Sequence, residues 1–183
     1  MTVHARSDHA RGAAAARGLA ARARRHLAAL GRADAELSIL VVGDAAIRRL
    51  NRDWRGKDLA TDVLSFPAAG PGPFLGDVVV SLDTARRAAR EAGRPLGAEL
   101  DRYLAHGLLH LLGHDHERPA DARRMAEAED ALVGEGMVTG AGARARPIRA
   151  TTTPLRGYAQ RERNPSVRPE RSEAESKDPA GRT

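Results

Sequence analysis

Three short apolar runs constrain this chain most: ELSILVVG at 36–43, TDVLSFP at 61–67 and GDVVVSL at 76–82. Each is dense in β-branched or large apolar residues, and each carries a Gly or Pro at one end, so each predicts a strand. Pro67 stops the second run, and the valines of the third imply burial on both faces. Helix patterns surround them. The Ala- and Arg-rich stretch 11–30 is the first, and Asp44 is expected to cap a second from Ala45 to about Trp54. Asp83 is expected to cap a third that stops at Gly93. The most apolar candidate is 96–113, bounded by Gly113, and an amphipathic helix starts at Pro119 and ends at Gly134. The expected class is α+β, a small mixed sheet of three to four strands surrounded by about five helices in one domain.

Residues 1–140 are expected to form that domain, with the first ten flexible. Residues 141–183 lack apolar periodicity and alternate in charge, which reads as a disordered basic tail. The 183-residue chain has no cysteine, which excludes disulfides, thiolate metal sites and a cysteine nucleophile. That fits a cytoplasmic protein, and neither a membrane-spanning run nor a secretory signal is expected. The net charge of +6 is held by the ends: residues 1–25 carry six Arg against Asp8, whereas 26–140 carry 14 basic and 18 acidic residues. Overall charge is therefore weak evidence for a nucleic-acid partner.

The segment HGLLHLLGHDH, 106–116, holds four of the chain's seven histidines. Residues four apart share a helix face, so His106 and His110 can aim at one point. Gly113 tolerates the left-handed turn that ends a helix, which lets His116 return to the same point. The expected metal site thus lies on a helix C-terminus and the following turn. Three imidazoles suit one Zn²⁺ and leave a fourth position for water, the pattern of a catalytic site. His114 and Asp115 sit on the turn as candidates to assist, Asp115 by orienting a ligand imidazole. The spacing matches that of metzincin proteases, H-E-x-x-H-x-x-G-x-x-H, but Gly107 stands where the protease needs its glutamate base. Met125 follows, as the metzincin methionine does, yet within a predicted helix.

HGLLHLLGHDH with Met125 and Glu129 resembles the signature H-G-x-L-H-L-x-G-[YH]-D-H…M…E of the YbeY family of rRNA-maturation endoribonucleases. LNRDWRGKDLATDVLSFP at 50–67 and LGDVVVS at 75–81 resemble two further blocks of that family, in the same order. The resemblance covers about 37–135. It implies a single-domain fold binding one zinc through His106, His110 and His116, and a single-strand-specific endoribonuclease in 16S rRNA 3′-end maturation and ribosome quality control. Its partners would be rRNA, the small ribosomal subunit and assembly proteins, with no membrane involved.

The family's arginine falls on Arg55, which we expect to stabilise phosphate charge, because an Arg fork holds two phosphate oxygens at once. Arg52 and Lys57 join it as candidate substrate contacts, while Arg48 and Arg49 read as a solvated helix face. Trp54 reads as core packing at a helix end, and Asp62 as a turn residue. No general base is identifiable. Two other readings stay open: a metzincin-like protease or other metallohydrolase, and a non-catalytic assembly factor with a structural metal.

Overall fold

The structure is a computed structural model and describes residues 1–114 and 118–134. Its elements are β1 (Thr2–Ser7), α1 (Ala13–Ala29), β2 (Glu36–Val42), α2 (Asp44–Arg55), β3 (Val63–Pro67), β4 (Phe74–Ser81), α3 (Leu82–Glu91), α4 (Leu96–Leu111) and α5 (Pro119–Gly134). The class is the expected α+β. The tail from 141 onward, Asp115 and His116 lie outside the described residues.

The four strands lie in the order β1-β2-β4-β3. β1, β2 and β4 run parallel, and β3 is antiparallel to β4 at the edge. The valines of β4 are buried on both faces, as their run implies. Val78 and Val80 join Leu37, Ile39 and Val41 under α1, α3 and α4. Val79 faces the other way, with Leu40, Val42, Leu64 and Phe66, under Ile47 of α2. Trp54 packs edge-on against Phe66, ring centroids 6.0 Å apart, so its place is core packing.

The first ten residues are not the flexible lead-in that the sequence suggests, because β1 pairs with β2 from Thr2↔Glu36 to Ser7↔Val41. Only Val3 of this strand is buried. An edge strand draws its order from the neighbouring backbone and needs little apolar pattern of its own. Two caps also differ. Gly43 is the N-cap of α2, and Asp44 lies in its first turn. Ser81 caps α3 by accepting from the Thr84 N–H, whereas Asp83 accepts from the Asp44 N–H.

Two contacts position α4. Its Gly107 backbone sits against the sheet, accepting a hydrogen bond from Ser65 Oγ of β3 at 3.1 Å. On its far side, Met125 and Leu132 of α5 pack on Ala105 and Leu109. Burying a methionine in such a cluster stabilises by about 1.5–3 kcal/mol, and it anchors α5 along the helix that carries the histidines.

Candidate metal centre

His106 and His110, one turn apart on α4, are 3% and 8% exposed. Their rings meet edge to face, centroids 4.5 Å apart, with the two Nε2 atoms 3.0 Å from each other. Each ring is held from behind. His106 Nδ1 lies 2.5 Å from Glu129 Oε1 of α5, and His110 Nδ1 lies 2.9 Å from the His114 carbonyl oxygen.

These partners fix the tautomers. A carbonyl only accepts, so His110 Nδ1 carries the hydrogen, and the Glu129 carboxylate accepts likewise from His106 Nδ1. Rings held this way turn both Nε2 atoms toward one point, where a shared cation would take a lone pair from each. Two imidazoles bound at about 2.0–2.1 Å around a tetrahedral ion stand about 3.3 Å apart, within a few tenths of an ångström of the 3.0 Å found. The donor set therefore fits a divalent metal. Backing carboxylates and carbonyls of this kind hold metal-binding histidines in orientation and raise their basicity.

The turn after α4 supplies the second backing group. Gly113 takes a φ of +88°, its N–H reaching the His110 carbonyl and the His114 N–H reaching the Leu109 carbonyl. This Schellman closure swings the His114 carbonyl back onto the His110 ring. The described role of His114 is thus carried by its backbone. Among the described residues, no third His, Cys, Asp or Glu completes a metal-binding group with the pair. The sequence assigns that place to His116, and a supporting role to Asp115, both outside the described residues.

Gly107 has a packing reason as well as a chemical one. A Cβ there would lie 3.0 Å from Ser65 Oγ and Val78 Cγ1, and 3.3 Å from Val63 Cγ2. Any side chain at this position would have to displace these sheet residues by a few tenths of an ångström. Met125 lies inside α5 and packs on Ala105 and Leu109, as the helix prediction for it requires.

Arg55 ends α2, in the layer opposite α4. Burial lowers its pKa, and the charge of Asp62 partly offsets this. Asp62, immediately before β3, accepts from Thr61 Oγ1 and from the Val63 N–H, as its turn reading predicts. Its charge also acts on Tyr103 of α4, whose pKa is raised by burial first and then by Glu99 and Asp62. Tyr103 lies one turn before Gly107, and Gly107 faces Val63 and Ser65.

Arg52 and Lys57 are exposed, Arg52 pairing with the adjacent Asp53 at 3.2 Å. Arg48 is also exposed and forms a two-pronged pair with Asp58, as a solvated face would. Two residues of this region escape a reading of the sequence alone. Glu129 enters there only as a letter of the signature, although its i+4 spacing from Met125 places it on the buried side of α5. Arg102 stands one turn before His106 on the same stripe, and its Nε and that of Arg55 are buried without a hydrogen-bond partner among the described residues.

Residues 7–135 match the family described as endoribonuclease YbeY. A relative of that name from Anaeromyxobacter sp. (strain Fw109-5) is 66% identical over 157 residues, covering 84% of this chain and 82% of its own. One from Anaeromyxobacter dehalogenans (strain 2CP-C) is 67% identical over 142 residues, 75% of this chain and 74% of its own. A solved structure from Thermotoga maritima shares the fold at a TM-score of 0.50 and 24% identity, covering 74% of this chain and 90% of that one. With its histidine helix, its backing groups and its match over most of the described residues, the chain belongs to the endoribonuclease YbeY family, a family of nucleases.

Proposed function

We propose that the chain is a zinc-dependent, single-strand-specific endoribonuclease that acts in 16S rRNA 3′-end maturation and ribosome quality control. The carrying observation is the pair of Nε2 atoms, 3.0 Å apart with both Nδ1 atoms engaged. His106, His110 and His116 would hold the metal. One Zn²⁺ there supplies an acidified water or hydroxyl near neutral pH.

The chain's own residues do the rest. Glu129 and the His114 carbonyl keep the two imidazoles in the metal-binding tautomer. Arg55 and Arg102 bring positive charge to the phosphate, where negative charge grows as the ester is cut. Arg55 stays protonated at neutral pH, since burial lowers its pKa only from a strongly basic starting value and the charge of Asp62 opposes the lowering. Arg52 and Lys57, being exposed, meet the flanking backbone. Asp115 is left the role of steadying a ligand imidazole.

Only 3% of residues are aromatic, so stacking offers little base readout. Selectivity then comes from RNA shape and from partners, the small subunit and its assembly proteins, in the cytoplasm. Among the described residues no helix is long and apolar enough to cross a membrane.

The test measures bound metal and cleavage of single-stranded RNA for wild type, His110→Ala and Arg55→Glu, with casein as a second substrate. His110→Ala should lose both the metal and, by at least about a hundredfold, the cleavage, since its ligand set is broken. Arg55→Glu should keep the metal and lose cleavage by about a hundredfold or more. Stoichiometric zinc with full activity in His110→Ala would end the proposal. Casein hydrolysis would favour a protease, and a chelator that unfolds a protein inactive on RNA would favour a structural metal.

A further inference from the structure

A groove of about 240 Å³ lies between α1 and the starts of α3 and α4. Its floor includes Leu82, Leu96 and Leu100, and three guanidinium groups line it: Arg11, Arg22 and Arg86. The head of Arg22 occupies a slot between two helices. A Cβ on Gly18 would lie 2.9 Å from its Nη1, and one on Gly97 2.7 Å from its Nη2. Glycine inside a helix costs about 0.5–1 kcal/mol relative to alanine. At Gly18 of α1 that cost accompanies the seating of a charged head at a groove.

The charge there is not cancelled. Among the described residues Arg22 pairs only with Asp101, at 3.7 Å, and that carboxylate also faces Arg25 at 3.7 Å and His26 at 2.8 Å. Neither Arg11 nor Arg86 has an ion pair among the described residues. Beyond the groove, α1 continues the same sign. Arg17 and Arg24 are exposed, and no acidic residue occurs between Asp8 and Asp34. This is a built basic surface on a domain whose remainder is acidic.

We propose that this groove and the Arg face of α1 form a second contact for the phosphate backbone of RNA, separate from the histidine site. The inference rests on the endoribonuclease reading and adds where a long substrate is held. Guanidinium forks suit phosphate oxygens. Gly97 and His110 stand at opposite ends of α4, about 20 Å apart at about 1.5 Å per residue. A short strand seated at the histidines does not reach the groove, whereas a long folded RNA spans both. The surface thus confers a preference for large RNA.

The experiment uses the full chain and the double variant Arg11→Gln/Arg86→Gln, with a short single-stranded oligoribonucleotide and a long structured RNA. Affinity is measured against salt concentration, and cleavage of the oligonucleotide alongside. For the long RNA, the variant should bind more weakly at every salt. Its log–log slope should be shallower by about 1.4–1.8, since each phosphate left without its arginine removes about 0.7–0.9. For the oligonucleotide, affinity, slope and cleavage should match wild type. Neither arginine has a described ion pair, so melting should be unchanged.

An unaltered slope and affinity on long RNA overturns the second contact and leaves the nuclease reading standing. Equal losses on both RNAs overturn it too, by merging the groove with the cleavage site. Unchanged RNA binding with lost retention on poly-glutamate assigns the groove to an acidic protein and overturns it. A wild-type protein that binds neither RNA removes the nuclease reading and this inference together.

Discussion

Two polar networks, one at the start of α2 and one at the end of α4, use the same kinds of groups to different ends. At the start of α2, Asp44 Oδ1 accepts from Ser81 Oγ at 2.6 Å and Thr84 Oγ1 at 2.8 Å, and Oδ2 accepts from Arg87 at 2.6 Å. Asp83 completes the knot, taking the Asp44 N–H and pairing with His9 at 3.2 Å. Every donor there ends on an acceptor, and the network closes on itself. At the end of α4, Glu129 and the His114 carbonyl hold the rear nitrogens of two buried rings and set their front nitrogens 3.0 Å apart. The first arrangement ties β2, β4 and two helix starts together, and the second aims two ring nitrogens at one point. Where the polar atoms converge, more than polarity or burial, separates a structural network from a binding one.

The largest way to break this contrast is Gly107→Glu, which restores the letter of the protease motif. The packing is tight, with Ser65 and Val78 at 3.0 Å from the first added carbon, so buried neighbours must give way before the rest of the side chain is placed. Overpacking costs about 1–3 kcal/mol, and a buried carboxylate adds several more. Expected is a protein that fails to fold or melts far below wild type, with no casein hydrolysis. A stable variant with proteolytic activity would show that the site is a protease scaffold lacking one group.

Next in size is Glu129→Gln, which keeps shape and removes the charge behind His106. Loss of such a backing carboxylate lowers metal affinity by about 10–100-fold, read by competition with a chelator. Global stability should change little, since Met125 and Leu132 still anchor α5. Unchanged zinc affinity would demote the contact to helix packing, and the distinction between the two networks would lose its second half.

How much of this is legible in the sequence follows from where each partner lies in the chain. The histidine stripe, the Gly113 stop and the helix extents are written at spacings of three to five residues, which periodicity reports directly. Glu129 stands 23 residues beyond His106, and only the docking of α5 brings them together. In the sequence Gly107 speaks only through the proton it cannot move. Its contacts with Ser65 and Val78 add a steric reason that a one-dimensional pattern cannot carry. Strand β1 escapes because one buried valine in six residues gives no alternation to read. The capping expected of Asp44 and Asp83 fails for a related reason. Each is a good capping residue at a helix start, but the knot draws them into contacts some forty residues apart in sequence, while Gly43 and Ser81 occupy the caps.

The smallest expected effect tests the closed network. Burial raises the Asp44 carboxyl, but hydrogen bonds from Arg87, Ser81 and Thr84, with the Arg87 charge, outweigh it and hold its pKa below the ordinary aspartate value. A carboxyl depressed in the folded state adds stability that is fully present above its unfolded pKa. That stability is lost as pH falls through the folded value. The contribution is therefore intact at neutral pH and disappears below about pH 4, the unfolded aspartate value. Asp44→Asn keeps an oxygen for Ser81 and Thr84 and loses only the ionic link to Arg87, itself half-exposed. An exposed pair is worth at most about 1 kcal/mol, so neutral-pH melting should fall slightly and the acid limb should flatten, with zinc binding and RNA cleavage unaltered. A variant whose acid limb matches wild type would place the network's stability in its neutral hydrogen bonds. One that also lost metal would show that the two networks, separate in their contacts, share a folding unit.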